Sequence, residues 1–220
     1  MKKKLNIVYE DKELLVIDKP YNLLTIATEK EKFNTLYKEV REYIRKKNQK
    51  VFIVNRLDKD TSGIVVFAKS EALKRALQDN WNNIAKRYYI AVCEGKFNKN
   101  ADTLKDYLYE TKALDVFVSK TKQGKLSILN YKVIDETNTY SLLDIEIKTG
   151  RRNQIRCQLD NINHPIIGDK KYSSKKNPLG RLGLHAYKLV LYNPLNKKEY
   201  IFETKMPQNF MKIFEKNQKK

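Results

Sequence analysis

The chain has 220 residues, of which 41% are apolar, and a formal net charge of +19 from 45 Lys and Arg against 26 Asp and Glu. The charge indicates a polyanionic partner, most commonly nucleic acid. Cys93 and Cys157 lack CxxC spacing, which argues against a zinc site or a disulfide framework and is typical of a reducing compartment. No apolar run approaches the roughly 20 residues needed to cross a bilayer. Acidic residues interrupt any signal segment after the basic start, and we expect a cytoplasmic protein.

The first half of the chain predicts short strands alternating with helices. Apolar residues at helical spacing predict a helix over 33–47, and Ser70 is suited to cap a second helix that runs to Trp81. Four apolar runs bounded by charged turns are typical of strands: 5–9, 13–18, 51–54 and 64–68.

The second half is richer in strand-like runs. We expect a strand over 87–94 that ends at Gly95, several strands with turn signals over 103–147, and a helix over 151–161. Two further strands, 187–192 and 198–203, precede a last short helix from Pro207. The pattern predicts an α+β fold. We find no repeat or linker and expect a single domain over 1–220, with frayed basic tails at 1–4 and 215–220.

The most informative segment is VNRLDKDTSGIVVFAKS, which begins at Val54. It sets Arg56, Asp58 and Asp60 between two apolar runs, so these polar side chains are delivered to one edge of a sheet. The spacing of the acidic residues mimics the start of a calcium-binding EF-hand loop. That loop needs a bidentate Glu at its twelfth position, where this chain has Lys69, and calcium is therefore excluded.

Other chemistries find less support in the residues. The order of Asp58 and Asp60 resembles the motif of an aspartyl-phosphate nucleophile. This hypothesis predicts a phosphotransferase that requires magnesium. Arg56, however, interrupts the apolar strand that the motif needs. No phosphate-binding GxxxxGK[ST] loop occurs. The two histidines, His164 and His185, are too few for most histidine metal sites.

The same segment resembles the HRLDxxTSGLLLFAK signature of the RluA-type pseudouridine synthases, and four other segments agree in the same order. IVYEDKELLVIDKP resembles the family's N-terminal strand pair, and RYYIAVCEG its K-x-Y-x-A-x-V-x-G strand. KTGRRNQIRCQLDNINHPIIGDKKY is similar to TGRTHQIRVHLxxxGHPIxGDxxY, and LGLHAYKLVLYNP with FETKMPQNF resembles the terminal segments. The resemblance covers residues 5 to 214 and implies the pseudouridine synthase fold, a mixed, mostly antiparallel sheet flanked by helices and loops.

The resemblance implies an enzyme that converts uridine in RNA to pseudouridine without a metal or an organic cofactor. Asp58 aligns with the family's catalytic aspartate, which either attacks the sugar carbon or removes a neighbouring proton; both roles need a charged carboxylate. Arg156 matches the arginine expected to pair with that aspartate. Tyr89 matches the tyrosine that stacks on the uracil and assists proton transfer at carbon.

A uridine in folded RNA must be extruded before it reacts. Arg56 matches the family arginine that fills the vacated space, although a phosphate contact at a strand edge is an equal alternative. Arg151 and Arg152, after Gly150, are candidates for phosphate binding at a helix N-terminus. Thr61, Ser62 and Gly63 are expected to shape the loop rather than react.

Three positions depart from the family pattern in segments that we expect to face RNA. Asn55 replaces the usual His, Arg152-Asn153 replaces Thr-His, and Gln158 stands where His is common. Because the match begins at residue 5, we expect no N-terminal S4-type domain, and we expect RNA selection to come from the catalytic domain. Ribosomal and transfer RNA stem-loops are both open as targets, and no membrane or obligate protein partner is expected. An RNA-binding or RNA-folding protein of the same fold is the main alternative.

Overall fold

The computed structural model describes residues 5–29 and 31–215. The expected frayed tails fall outside these residues, except for Glu215, which ends the last helix. The chain forms two compact units. The first holds the described residues up to Lys86 together with Ala186–Lys205, and the second holds Arg87–His185 with the described residues from Met206. A single domain over 1–220 stays a prediction.

The described chain contains strands in the majority, as expected for the α+β class. The strands are β1 (Ile7–Glu10), β2 (Leu14–Lys19), β3 (Phe52–Ile53), β4 (Ser62–Ala68), β5 (Ala85–Glu94), β6 (Ala101–Glu110), β7 (Val116–Val118), β8 (Lys125–Glu136), β9 (Tyr140–Ile147), β10 (Leu184–Asn193) and β11 (Lys198–Glu203). The helices are α1 (Leu36–Arg45), α2 (Glu71–Asp79), α3 (Trp81–Ile84), α4 (Gln154–Asn161) and α5 (Gln208–Glu215).

The first unit is built on the antiparallel pairing of β2 with β1 and with β4, in the register Val16 opposite Val66. β4 is buried along its whole length, and its neighbours in the sheet are β2 and β10. β3 pairs with the end of β4, and β11 pairs with β10. Leu73 and Leu77 of α2 complete a core with Leu14, Val66 and other apolar residues of these strands.

The second unit is an antiparallel sheet in the order β5-β9-β8-β6-β7. One face of it carries Leu129 of β8 and Ile145 of β9, which pack with Ile155 and Leu159 of α4. Burial of this apolar face by the helix is what fixes α4 on the sheet. The other side chains of α4, Arg156 among them, are therefore held at defined positions on this face of the sheet.

The predicted mixed, mostly antiparallel sheet with flanking helices is confirmed. Ser70 caps α2, accepting a hydrogen bond from the Leu73 amide, but α2 ends at Asp79 and a separate short helix follows. The helix predicted over 33–47 is shorter, because Thr35 is its N-cap and accepts a hydrogen bond from the Lys38 amide. None of the described helices is long and apolar enough to cross a bilayer.

Candidate active site

Asp58 lies in the first unit, on the loop between β3 and β4, and its side chain is partly exposed. The residue before it is held by a single buried side chain. The Thr25 hydroxyl donates to the Leu57 carbonyl at 2.6 Å and accepts from the Leu57 amide at 3.2 Å. Thr25 is 3% exposed, so both bonds are shielded from water. The backbone that precedes Asp58 is therefore held in place.

The residue after Asp58 is held as well. The ammonium group of Lys19, which is 0% exposed, donates to the carbonyls of Pro20, Leu23 and Lys59 at 3.0, 2.7 and 3.1 Å. The Leu23 amide also donates to the Lys59 carbonyl, at 3.2 Å. A buried ammonium requires such oxygen partners. The backbone on both sides of Asp58 is thus anchored to the segment that follows β2.

The turn after Asp58 depends on a glycine. Gly63 has a φ of +117°, and a β-carbon there would lie 2.1 Å from the Ala186 carbonyl oxygen of β10. No other residue fits this approach of two strands. Thr61 and Ser62 are 2% and 3% exposed at the start of β4, which agrees with a role in shaping the loop.

Arg56 and Asn55 lie on the same loop with different surroundings. Arg56 is exposed. The Asn55 side chain binds the backbone of β4, accepting from the Val66 amide at 2.8 Å and donating to the Ile64 carbonyl at 3.4 Å. Asn55 therefore stabilises the strand that carries the motif, and it does so through an amide that offers both a donor and an acceptor.

Tyr89 and Arg156 both lie in the second unit. Tyr89 is on β5, partly buried, and packs against the core cluster that α4 helps to form. Arg156 projects from α4, and one edge of its guanidinium donates two hydrogen bonds to Asp169, with Nε–Oδ2 and Nη2–Oδ1 distances of 2.7 Å each. Its Nη1 donates to Asn153 Oδ1 at 3.2 Å. The pairing of Arg156 with Asp58 stays a prediction.

Asp169 and Tyr172 are partners of Arg156 that our sequence reasoning did not identify. Asp169 has a fully buried side chain and also accepts from the Lys171 and Tyr172 amides. The Arg156 guanidinium lies 5.5 Å from the ring centre of Tyr172, and burial raises the pKa of this tyrosine. The signal for both residues is the GDKKY sequence at the end of the fourth matched segment.

Arg151 and Arg152 are exposed at the start of α4. The Arg151 Nε donates to the Leu126 carbonyl at 3.4 Å, and the Arg152 Nε lies 3.3 Å from a carboxylate oxygen of Glu110. α4 begins at Gln154, after Asn153 in a left-handed conformation with a φ of +50°. Phosphate binding by the two arginines stays a prediction.

Gln158 lies in a segment that we expect to face RNA, but its own side chain does not reach the surface. Gln158 is 0% exposed, and its amide nitrogen donates to Asp106 Oδ2 at 2.6 Å and to the Ser127 carbonyl at 3.3 Å. The Gln158 side chain points towards the sheet, because it lies on the side of α4 that packs on the sheet. The residue therefore joins α4 to β6 and β8.

Within residues 5–29 and 31–215, no three His, Cys, Asp or Glu side chains form a group that could hold a metal ion. Both cysteines are free and buried, and burial raises the pKa of the Cys157 thiol to about 11. The thiol is therefore protonated at neutral pH and a poor nucleophile. The residues that the sequence singles out for the candidate site carry carboxylate, phenol and guanidinium groups.

Residues 13–161 match the family model for RNA pseudouridylate synthases. An uncharacterized RNA pseudouridine synthase of Mycoplasma genitalium is 34% identical over 214 residues, which are 94% of this chain and 68% of the relative. Ribosomal large subunit pseudouridine synthase D of Blochmanniella floridana is 31% identical over 229 residues, covering 95% of this chain and 71% of the relative. Human RNA Pseudouridylate Synthase Domain Containing 4 has the same fold, with a TM-score of 0.76 at 22% identity over 94% of this chain and 90% of the human one.

The chain therefore belongs to the RNA pseudouridylate synthase family, and the resemblance to its RluA-type members is confirmed. It is an RNA pseudouridine synthase, an isomerase whose substrate is RNA. The excess of positive charge suits this polyanionic substrate. The family assignment favours isomerisation over the aspartate-dependent phosphotransferase that the order of Asp58 and Asp60 left open.

Proposed function

We propose that this enzyme isomerises a specific uridine of structured RNA with Asp58 as its catalytic carboxylate and without a metal or an organic cofactor. The observation that carries the proposal is the anchoring of the loop around Asp58. Hydrogen bonds from Thr25 hold Leu57, and hydrogen bonds from Lys19 and Leu23 hold Lys59. A partly exposed carboxylate on a fixed backbone is suited to a reaction in which the carboxylate must be positioned accurately against the ribose of the substrate.

The proposed reaction conserves all atoms of the nucleotide. The bond between the ribose and N1 of uracil breaks, the base turns, and the ribose carbon bonds to C5, which then loses its proton while N1 gains one. The Asp58 carboxylate serves either by attack on the ribose carbon or by removal of a neighbouring proton. An ionised carboxylate is required in both cases.

Tyr89 and Arg156 are proposed to act with Asp58. The Tyr89 ring stacks on the uracil, and its hydroxyl assists the proton transfer at C5. The Arg156 guanidinium is oriented in advance, because Asp169 binds it through two nitrogens and Asn153 binds the third. A preset cation stabilises negative charge without reorganisation during the reaction.

Asp58→Asn is expected to abolish pseudouridine formation while changing RNA affinity by less than about threefold, because one carboxylate supplies little of a phosphate-dominated binding energy. The measurement is pseudouridine content after incubation with RNA, together with a binding titration. Asp60→Asn, on the same loop, is the matched control and should retain activity. A normal rate for Asp58→Asn would contradict the assignment, and loss of activity in EDTA would contradict the absence of a metal.

Arg56 is proposed to fill the space left by the extruded uridine, and its exposure agrees with contact to RNA. Arg56→Ala is expected to slow the reaction about tenfold or more on a stem-loop, since unstacking a base costs a few kcal/mol. The same substitution should have little effect on an unpaired uridine in a linear RNA. Equal slowing on both RNAs would indicate a phosphate contact instead.

Ribosomal or transfer RNA is the proposed target, and the name of the Blochmanniella floridana relative favours large-subunit ribosomal RNA. Arg151 and Arg152 are proposed to bind its phosphates. The Arg152–Glu110 pair is 40% and 45% exposed, so it is weak enough for a phosphate to replace the carboxylate. Mapping pseudouridines in cells with the native gene, without it and with Asp58→Asn would identify the target. A phenotype rescued fully by Asp58→Asn would instead support a role in RNA folding.

A further inference from the structure

The sheet of the second unit has a face that is opposite to the one carrying Tyr89. Tyr89 pairs with Ile145, which belongs to the core beneath α4. On β6, Leu108 packs into a core cluster on that same side with Cys157 of α4. Side chains alternate along a strand, so Tyr107 and Tyr109 point to the opposite face.

Neighbouring strands add two more apolar side chains to this opposite face. Phe117 of β7 pairs with Tyr109, and Leu126 of β8 pairs with Tyr107, so each pair shares one face of the sheet. The rings of Tyr109 and Phe117 are 5.3 Å apart with an angle of 43°. We call Tyr107, Tyr109, Phe117 and Leu126 the aromatic face.

Most of the aromatic face is open to solvent. Tyr109, Phe117 and Leu126 are 42%, 47% and 42% exposed. Single exposed apolar residues are common, but a contiguous group on three adjacent strands is typical of a surface that binds something. β7 is the edge strand of this sheet among the described residues, so the aromatic face extends to the edge of the sheet.

The charges around the aromatic face indicate which kind of partner it fits. The acidic residues of β6 and of the turn that follows it are engaged by neighbours: Asp102 by Lys99, Asp106 by Gln158, Glu110 by Arg152 and Asp115 by Lys171. Four exposed lysines of β6 and of the turns after β6 and β7 lie within ion-pair distance of no carboxylate among the described residues: Lys105, Lys112, Lys120 and Lys122.

We propose that the aromatic face binds a single-stranded segment of the RNA substrate, separate from the uridine that is modified. Unpaired bases stack on exposed aromatic rings, and lysines beside the rings contact the phosphates. A second copy of this chain would bring the same lysines together and be repelled. The proposal rests on the RNA substrate class of the family and is independent of the role of Asp58.

The test uses a fluorescent oligoadenylate of about 12 nucleotides, a length suited to one single-strand site. It contains no uridine and cannot react. We expect the native enzyme and Asp58→Asn to bind it equally well, with an affinity that falls as salt rises, and to bind a duplex of the same length more weakly. Equal binding of single strand and duplex would overturn the stacking proposal.

Tyr109→Ala and Phe117→Ala are each expected to weaken oligoadenylate binding about 5- to 100-fold, the range measured for loss of one stacked base. Tyr109→Phe should bind like the native enzyme, because it retains the ring. Tyr192→Ala removes a similarly exposed tyrosine, 40% accessible, on β10 in the first unit and is the matched control. Circular dichroism verifies that each variant is folded.

Lys120→Gln combined with Lys122→Gln should reduce the slope of log affinity against log salt by about 0.7 for each lysine removed. Oligoadenylate affinity that is unchanged in the alanine variants would overturn the proposal. So would a change of sedimentation mass in these variants with unchanged oligoadenylate affinity, because a second copy would then occupy the aromatic face.

Discussion

Thr25 binds both backbone polar groups of Leu57 through one hydroxyl. In an antiparallel ladder, the backbone N–H and C=O of a neighbouring strand would satisfy the same two groups. Here a single side-chain hydroxyl does so at the entry to Asp58. Thr25 touches no reacting atom, so we regard it as a positioning residue. Its effect on the reaction would pass through the backbone of the loop.

Thr25→Val keeps the volume of the side chain but leaves the Leu57 amide and carbonyl without this partner. We expect the single-turnover rate at saturating RNA to fall about 10- to 100-fold, as for a small displacement of a reacting group. RNA affinity should stay within about twofold, because the loop's charged side chains are unchanged.

Thr25→Ser retains the hydroxyl and should restore most of the rate lost in Thr25→Val. Both variants change a buried group, and each is expected to lower the free energy of unfolding by at most about 3 kcal/mol. A rate that is lost only in Thr25→Val therefore reports on positioning of the loop rather than on stability. The rates are compared well below the melting temperature of each variant. A Thr25→Val enzyme that is less stable but has the native rate would show a purely structural role.

Side-chain identities in the candidate site could be read from the sequence, but their partners could not. The segment around Asp58 contains its own loop-forming residues, so its local form follows from Thr61, Ser62 and Gly63. Thr25 and Asp169 bind residues that are 32 and 13 positions away. Single-sequence patterns carry no information on such pairs, because a Thr or an Asp is acceptable in many loops.

At the scale of elements, Glu10 joins β1 to the ends of α1 and β4. Its carboxylate accepts from the Lys69 ammonium at 2.8 Å, the Tyr43 hydroxyl at 2.7 Å and the Lys47 ammonium at 2.9 Å. Burial raises the pKa of Glu10, but the hydrogen bonds from Lys69, Tyr43 and Lys47 outweigh this effect and lower the pKa to about 2. The charged form of Glu10 therefore stabilises the folded first unit.

The stabilisation by Glu10 is present above its unfolded pKa of 4.5 and is lost as the pH falls towards about 2. Glu10→Gln should lower the free energy of unfolding at pH 7 by at most about 3 kcal/mol. The difference between Glu10→Gln and the native protein should shrink between pH 4.5 and 2. Urea unfolding at several pH values measures both effects.

Glu71→Gln is the control for this experiment. The Glu71–Arg75 pair lies on the surface of α2, with side chains 56% and 70% exposed, and its removal should change stability by less than about 0.5 kcal/mol. A loss at pH 7 of the same size in both variants would show that the contacts of Glu10 with Lys69 and Tyr43 contribute nothing beyond a surface ion pair.

The type of most elements follows from local pattern, whereas their ends depend on particular neighbours. Helical spacing predicts α1 and α2, and Ser70 marks the start of α2. The predicted helix extends to Trp81, but the structure ends α2 at Asp79, where Asn80 adopts a non-helical conformation with a φ of −119°. β7 has three residues, too few for period-two alternation to identify it.

At the scale of the whole molecule, the net charge of +19 and the RNA substrate belong together. Counterion release from RNA supplies affinity that is independent of sequence. Selection of one uridine then requires shape and base contacts, which are made at particular surfaces. The aromatic face would add such a contact.

The order of residues in the two units has a consequence for synthesis on the ribosome. The first unit needs Ala186–Lys205, because β10 lies beside the fully buried β4 and Gly63 packs against Ala186. Its sheet cannot be completed until these residues have left the ribosome, whereas Arg87–His185 forms one uninterrupted stretch of the second unit. Synthesis of the unit that carries Asp58 begins first and ends after most of the second unit has emerged. The apolar strands of the first unit therefore stay without β10 for much of translation.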